Sequence, residues 1–404
     1  MDSTAESRLH EPSGTPLVAT QSAEKALQQR LHYLDNLRAL AMIAGVFFHA
    51  ALAYSPMLNT YWLSADSQQS PLVDVVGFFM HLFRMPLFFL IAGFFAAYLV
   101  AKRGMKGFIG NRAKRVLLPF VIFMPLCLWA VAAPLLAAVH TVENKSPVLL
   151  MIANALANPA DAPPQPPPTT MHLWFLYVLV FLYFLTWALS YLDWSWVCKK
   201  FNAIKPLVFV VFAPLMLLPG LLLVSSPLPA PDSFLPQLWA FGFFGLFFAA
   251  GYWIFHRDNF LEQFNAYWVY LLLGSLLLYA IYFHFIPEKI IVPAPPTEFT
   301  THIVLKLCEA FVAVCMTLVC LVLGKRFLNT PSRSMRFMAD SSYWIYIIHV
   351  PLLFALQYQL MDQEWNWLSK FVVSLGLTLI IGVASYVLLV RWTPIGWMLN
   401  GKKK

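Results

Sequence analysis

Long runs of apolar residues, separated by short polar connections, dominate the pattern along the chain. A window suited to a hydrocarbon layer about 30 Å thick predicts ten membrane-spanning helices from these runs. The runs lie near residues 37–55, 73–101, 116–138, 171–192, 205–224, 236–255, 266–286, 302–323, 342–360 and 370–391. The pattern therefore predicts an all-α polytopic membrane protein with about ten transmembrane helices.

The connections between the runs alternate in charge. Lys and Arg residues concentrate in connections such as 102–115, 199–205 and 325–336, whereas residues 56–72 and 225–235 contain neither. The positive-inside rule assigns the basic connections to the cytoplasm, so both termini are expected there. Orientation in a bilayer also accounts for the net charge of +8, and no nucleic-acid partner is expected.

Composition divides the chain into three parts. Residues 1–31 are polar and are expected to form a disordered cytoplasmic segment, residues 32–396 the transmembrane domain, and residues 397–404 a basic cytoplasmic tail. Only 11% of the residues are charged, which excludes an ordinary soluble domain. The five cysteines lack the spacing of a metal site, so no metal is expected.

The first span carries an arginine near its start and a histidine eleven residues later, Arg38 and His49. At 100° per residue the two lie within about 20° of one face, separated by a rise of about 16 Å. Ionisable groups inside a membrane are costly and usually functional. The second span adds His81 and Arg84, which share a face. Arg84 needs either a salt bridge, with Glu309 as the candidate partner, or a water-filled cavity.

Two later spans carry further polar groups. His172 and Trp174 open the fourth span, where an interfacial aromatic belt is the ordinary alternative. Tyr346 and His349 lie in the ninth span, where hydrogen bonds between helices are the alternative. Four histidines and one arginine on four spans are explained most simply by one water-accessible cavity.

Three motifs resemble the membrane-bound acyltransferase family three. They are Leu34-Asp35-Asn36-Leu37-Arg38 followed by His49, the aromatic and glycine segment Phe88–Phe94, and the paired arginines Arg112 and Arg115 before Pro119. Segments 81–85, 172–176 and 345–349 resemble those of members that succinylate periplasmic glucans. The resemblance implies an enzyme of the bacterial inner membrane. It would transfer an acyl group, succinyl or acetyl, from cytoplasmic acyl-CoA to a hydroxyl group of an envelope or periplasmic glycan.

The resemblance also suggests a role for each polar residue. His49 would act as the general base, or as a nucleophile through a short-lived acyl-histidine. Arg84, placed by His81, would stabilise the oxyanion. Arg38, Arg112 and Arg115 would hold the phosphates of CoA. The remaining residues would position the acceptor or the thioester; they are His172, Trp174, Tyr346 and His349.

A proton-coupled transporter or flippase for a glycan or another solute is the alternative function. It would use His49, His81 and Arg84 as a proton relay. It also requires an intramembrane carboxylate, for which Glu309 and the peripheral Asp74 are the candidates. The sequence does not choose between succinyl and acetyl, and it does not indicate an oligomeric state.

Overall fold

The computed structural model describes residues 16–161, 164, 167–202, 204–257, 259–291 and 294–401. Within these residues the regular structure is helical, apart from one isolated bridge between Thr169 and Ser233. The α-helices are α1 Pro16–Ala51, α2 Pro71–Arg112, α3 Leu118–Thr141, α4 Pro147–Ala157, α5 Trp174–Leu189, α6 Ser195–Asn202, α7 Pro206–Leu221, α8 Leu238–Phe255, α9 Trp268–Phe285, α10 Phe299–Phe327, α11 Arg333–Leu360, α12 Trp367–Ser385 and α13 Pro394–Asn400. The predicted all-α fold is confirmed.

Eight helical segments of the described chain are long and apolar enough to cross a membrane. One of them, Pro71–Thr141, contains both α2 and α3, which correspond to the second and third predicted spans. A π-helical turn, Ala113–Leu117, joins these two helices. The predicted fifth span is the shorter helix α7. The protein is thus a multi-pass membrane protein, while the count of ten spans and the cytoplasmic termini stay predictions.

The division of the chain into a disordered segment, a transmembrane domain and a basic tail stays a prediction. The backbone of residues 16–31, which were expected to be disordered, is helical and continues into the first span as part of α1. Residues 1–15 lie outside the described residues. The predicted basic tail begins within α13, and its lysines at 402–404 also lie outside the described residues.

The chain folds back on itself at Gly104. This residue has φ 66° and ψ 173° within α2, a conformation that glycine adopts readily because it lacks a Cβ. Beyond it, a guanidinium nitrogen of Arg112 donates to the carbonyl oxygen of Phe95 over 3.2 Å. Seventeen residues of straight helix would separate these residues by about 25 Å, so the contact requires the reversal.

Helices α2 and α8 approach each other at two glycines. A Cβ built on Gly93 would lie 1.9 Å from the carbonyl oxygen of Phe248, and one built on Gly251 would lie 1.8 Å from that of Leu90. Any side chain at either position would therefore collide with backbone. Small residues allow membrane helices to pack this closely, and this packing explains the glycine of the Phe88–Phe94 motif.

A buried ion pair anchors the connection between α1 and α2. Lys370 of α12 donates to both carboxylate oxygens of Asp66, at 2.9 and 2.8 Å, and neither side chain is more than 3% exposed. In the same connection Ser64 donates to Gln357 over 2.6 Å, and Gln357 donates to the carbonyl oxygen of Ala50 over 3.0 Å. These bonds fix the connection to three helices.

A second buried ion pair anchors the connection between α7 and α8. Lys306 of α10 lies 2.7 Å from Glu309 and donates to the carbonyl oxygen of Ser225 over 2.8 Å. Both charged side chains are almost fully buried, which is tolerated because each charge has a partner. The connection also contacts α2, because the carbonyl oxygen of its Leu228 lies 2.7 Å from Nε2 of His81.

Candidate active site

The four predicted histidines lie in one region of the bundle. The ring of His349 lies 5.2 Å from that of His49 and 5.2 Å from that of His172, between ring centroids. His81 is linked to the group through Phe48, whose ring stacks on it at 5.4 Å. We call His49, His81, His172 and His349 the histidine cluster. The structure therefore brings together four predicted residues from α1, α2, α11 and the turn before α5.

Main-chain carbonyl groups orient three of these rings. His81 Nε2 lies 2.7 Å from the carbonyl oxygen of Leu228, His172 Nε2 lies 2.9 Å from that of Ile347, and His349 Nδ1 lies 2.7 Å from that of Tyr346. Since a carbonyl oxygen only accepts, each of these ring nitrogens donates. The opposite nitrogens, Nδ1 of His81 and His172 and Nε2 of His349, are buried without a partner among the described residues. In neutral rings these nitrogens can accept a proton.

A proline in α11 explains why a helical carbonyl is available to His172. Pro351 has no N–H group, so it cannot donate to the carbonyl oxygen of Ile347 four residues earlier. That oxygen instead accepts from His172 and, over 3.3 Å, from the thiol of Cys127. The histidine, proline and thiol thus form one local arrangement that holds the start of α5 against α11.

Arg84 packs against two neighbours of His49 on α1, Phe48 and Gly45. Its guanidinium carbon is 4.5 Å from the centre of the Phe48 ring, and a Cβ on Gly45 would come within 2.9 Å of its Nη1 atom. Arg84 is close enough to act electrostatically on His49, His81 and His349. The side chain is buried, and its Nε atom has no hydrogen-bond partner among the described residues.

The salt bridge between Arg84 and Glu309, which the sequence offered as an alternative, is wrong. Glu309 pairs instead with Lys306, three residues earlier on α10. No ion pair of Arg84 occurs within the described part of the chain. A buried cation without an anion is costly in an apolar region, so Arg84 is suited to a ligand that carries or develops negative charge.

Tyr346 and Trp174 have different surroundings. The Tyr346 hydroxyl donates to the carbonyl oxygen of His172 over 2.7 Å, and its ring lies 6.0 Å from the rings of His172 and His349. Trp174 packs in the apolar core, with its ring centre 5.2 Å from that of Phe244 and 6.1 Å from that of Phe89. The structure therefore brings Tyr346 to the histidine cluster and leaves Trp174 outside it.

Two of the predicted phosphate-binding arginines meet at Phe95. The guanidinium carbon of Arg38 lies 5.7 Å from the centre of the Phe95 ring, and Arg112 donates to the carbonyl oxygen of the same residue. Arg38 also pairs with Asp35 over 3.2 Å and keeps 40% of its side chain exposed. Arg115 lies against the C-terminal segment, where a Cβ on Gly401 would come within 2.1 Å of its Nη2 atom.

Three residues of the site were not predicted from the sequence. Gly45 and Phe48 precede His49 by four residues and by one, and both contact Arg84. Trp62, in the connection between α1 and α2, has its ring 6.1 Å from that of His49, at an angle of 29° between the planes. Gly45 could have been found from the sequence, because it lies four residues before His49 on the same helical face. Trp62 could not, because an aromatic residue in a connection has no spacing that relates it to His49.

The arrangement as a whole separates a basic end from a histidine-rich region. Arg38 lies at one end of the apolar part of α1, and His49 lies about 16 Å along the same helix. Among the described residues there is no group of three His, Cys, Asp or Glu side chains placed to hold a metal ion. The site therefore offers histidine bases, a buried arginine that has no ion pair among the described residues, and a separate cluster of arginines.

Comparison with known proteins identifies the family. The model of acyltransferase family 3, described as an acyltransferase domain, matches residues 31–387. The chain belongs to acyltransferase family 3. The resemblance stated from the motifs is thus confirmed, and every predicted site residue of this family member lies within the matched range.

Several relatives of this acyltransferase family 3 protein are named glucans biosynthesis protein C. The protein of Escherichia coli strain K12 is 25% identical over 393 residues, which cover 93% of this chain and 95% of the relative. That of Escherichia coli O81 strain ED1a is 26% identical over 394 residues, with the same coverage of both chains. No solved structure matches the chain significantly.

Proposed function

We propose that this protein is an integral membrane O-acyltransferase of the bacterial inner membrane. It moves an acyl group, succinyl in the first place and acetyl in the second, from cytoplasmic acyl-CoA to a hydroxyl group of an envelope or periplasmic glycan. Family membership supports acyl transfer. The name of the relatives supports a glucan as the acceptor.

One observation carries this proposal, namely that the buried guanidinium of Arg84 lies against Phe48 and Gly45, next to His49 on α1, and forms no ion pair with any described residue. In the proposed reaction His49 removes the proton from an acceptor hydroxyl as its oxygen attacks the thioester carbonyl. Arg84 stabilises the negative charge that develops on the carbonyl oxygen. The new carbon–oxygen bond forms, the carbon–sulfur bond breaks, and His49 returns the proton to the leaving thiolate.

The arginines at the other end of α1 have the chemistry to bind the donor. Arg38 and Arg112 converge on Phe95, and guanidinium groups form strong charge-assisted bonds with phosphate. Arg115 adds a third cation near Arg112. From these cations a pantetheine arm would run about 16 Å along α1 to reach His49. No cation of this donor set belongs to the histidine cluster.

The remaining members of the cluster are proposed to position the acceptor hydroxyl and the thioester. His172 and His349 each present one ring nitrogen that has no partner in the described part of the chain, and Tyr346 donates a hydrogen bond to the main chain at His172. His81 is held by Leu228 and contacts the Phe48 ring, so it supports the ring on which Arg84 packs. The role predicted for Trp174 has no support from its place in the apolar core.

The test is thioester turnover by purified protein in nanodiscs, followed as release of free thiol from succinyl-CoA and acetyl-CoA. We expect release by the wild type, with or without added soluble glucan, and a loss of at least about 100-fold in His49→Ala and Arg84→Met. His284→Ala, an exposed histidine of α9, is the matched control and should retain activity.

The alternative function, a proton-coupled transporter or flippase, has less support. Its two candidate carboxylates already have partners, because Glu309 pairs with Lys306 and Asp74 accepts a hydrogen bond from Ser55. If folded wild-type protein releases no thiol from either donor, even with soluble glucan present, the acyltransferase proposal fails and transport becomes the better explanation.

A further inference from the structure

Trp62 lies in the connection between α1 and α2 and forms one wall beside His49. Its ring centre is 6.1 Å from that of His49 and 5.3 Å from that of Phe354 on α11. The residue packs against three separate apolar clusters of the bundle and remains partly exposed. A large aromatic face is thus held directly beside the proposed general base.

The polar edge of the same ring lacks a partner. The indole Nε1 atom of Trp62 is buried and forms no hydrogen bond with any described residue. This atom is a donor only, and buried donors in folded proteins ordinarily have an acceptor. An indole with a free N–H group next to a base is therefore suited to a ligand that has both an apolar face and hydroxyl oxygens.

The connection that carries Trp62 is anchored rigidly. Four residues after Trp62, Asp66 forms the buried pair with Lys370, and two residues after it Ser64 bonds to Gln357. Both partners belong to the membrane-spanning helices α11 and α12. A rigid anchor lowers the entropy cost of binding, because the aromatic wall does not have to be ordered by the ligand.

Trp62 and the arginines lie at opposite ends of α1. Arg38 and Arg112 meet near the start of the span, whereas Trp62 contacts His49 near its end. The connection from residue 56 to residue 70 contains no Lys or Arg, so it is not suited to the phosphates of CoA. The two ends of the site thus differ in the chemistry that they can bind.

From these observations we propose that Trp62 forms the acceptor subsite. A pyranose ring of the glycan packs its C–H face on the indole, and a sugar hydroxyl accepts a hydrogen bond from Nε1. This inference rests on the proposed acyl transfer and specifies which residue binds the acceptor. It places the reacting hydroxyl next to His49, on the side away from the donor's phosphates.

The test compares acceptors that do and do not contain a sugar ring. Thiol release from succinyl-CoA is measured with water alone, with glycerol and with a soluble gluco-oligosaccharide, for wild type, Trp62→Phe and Trp62→Leu. Loss of the N–H group in Trp62→Phe should raise the KM for the oligosaccharide about threefold to tenfold. Trp62→Leu removes the aromatic ring as well as the N–H group and should raise the KM for the oligosaccharide further.

The control reactions distinguish weaker binding of the sugar acceptor from a general loss of activity. In both variants the loss of transfer to the oligosaccharide should exceed any loss of hydrolysis in water or of transfer to glycerol at least about threefold, since neither water nor glycerol has a face to stack on the indole. Trp365→Leu, at an exposed tryptophan in the connection between α11 and α12, should leave all three reactions unchanged. Trp62→Phe retains the packing with Phe354, and its thermal unfolding should match that of wild type.

Two results would overturn the inference while leaving the proposed function intact. One is an unchanged KM for the oligosaccharide in Trp62→Leu. The other is a rate of thiol release that falls by the same factor with oligosaccharide, with glycerol and with water. Absence of thiol release by the wild type under every condition would instead contradict acyl transfer itself, so the two failures are distinguishable.

Discussion

The guanidinium of Arg84 lies against Gly45, one helical turn before His49 on α1. A Cβ at Gly45 would come within 2.9 Å of Arg84 Nη1, and among the described residues outside the adjoining backbone of α1 only the Arg84 guanidinium lies within 4 Å of that position. The glycine therefore provides the space in which the cation reaches the face of α1 that carries His49. Gly45 thus connects α1, the helix that carries Arg38 and His49, with the buried cation Arg84 of α2.

Gly45→Ala should reduce acyl transfer without unfolding the protein. The added methyl group collides only with the end of a flexible side chain, so the helices can keep their packing while Arg84 shifts. Because catalysis depends steeply on the placement of such a cation, we expect thiol release to fall about 10-fold to 100-fold. The measurement is kcat for thiol release together with the unfolding temperature.

Gly274→Ala on α9 is the matched control, because a Cβ at that position comes within 4 Å of no described residue beyond the adjoining backbone of its own helix. It should preserve both activity and stability. Equal activity in Gly45→Ala and wild type would show that the position of Arg84 does not limit the reaction.

The buried pair of Lys370 and Asp66 should be a large contributor to stability when one partner alone is removed. Lys370→Met leaves a buried carboxylate without a cation, which should cost about 3–5 kcal/mol. The double variant Lys370→Met, Asp66→Asn removes both charges and should recover most of this loss. Unfolding of the two single variants and the double variant in nanodiscs gives the interaction energy directly.

The pair of Lys325 and Glu262 is a comparison within the same protein. The distance from Lys325 Nζ to Glu262 Oε1 is 3.1 Å, similar to that in the buried pair. The two side chains, however, are 30% and 53% exposed. Removing either partner should therefore change the free energy of unfolding by at most about 1 kcal/mol. Similar losses at the two pairs would contradict the argument from burial.

Gly93→Ala should prevent correct packing of α2 on α8. The methyl group would overlap the backbone of Phe248, and neither helix can yield locally at a carbonyl group. We expect a strongly reduced yield of folded protein and a lower unfolding temperature, measured by size-exclusion chromatography and thermal unfolding. Gly376→Ala, whose Cβ would come within 4 Å of no described residue beyond the adjoining backbone of α12, should fold normally. A folded, stable Gly93→Ala would refute the close approach.

Glu298 caps the N-terminus of α10 and should make stability depend on pH at the acid end. Its carboxylate accepts hydrogen bonds from the backbone N–H groups of Thr301 and Thr300 and from the Thr301 hydroxyl, which lower its pKa from 4.5 to about 2. A lowered pKa in the folded state contributes stability above pH 4.5, and this contribution disappears as the pH falls towards 2.

The corresponding measurement compares thermal unfolding of wild type and Glu298→Ala across this pH range. We expect wild type to be more stable than the variant at pH 7, and the difference to shrink between pH 4.5 and pH 2. Glu288→Ala, in the connection before α10, serves as the control for removing a carboxylate outside the cap. A difference that stays constant down to pH 2 would argue against the cap.

Much of the fold and part of the site followed from the sequence. Apolar runs of sufficient length predicted the helices, because a membrane leaves main-chain groups no partners except those within a helix. The spacing of Arg38 and His49 placed both on one face of α1. Lys306 and Glu309, three residues apart on α10, were also a readable local pair, although the sequence analysis considered Arg84 as the partner of Glu309.

The sequence also contained the information that Trp174 faces away from His172. His172 and Trp174 are two residues apart, and side chains at that spacing do not share a helical face. The histidine turns to Ile347 on α11, whereas the tryptophan packs with Phe244 of α8. Grouping the two as one binding element overlooked this geometry.

The sequence by itself determined which long apolar segments are helices and which of their residues share a face, since the backbone hydrogen bonds of a helix fix its geometry locally. Only the tertiary structure decided which faces meet. The contacts of His349 with His49 and His172, of Arg84 with Gly45, and of Trp62 with His49 join residues distant along the chain. They depend on how side chains of several helices pack together, and no local rule specifies that packing.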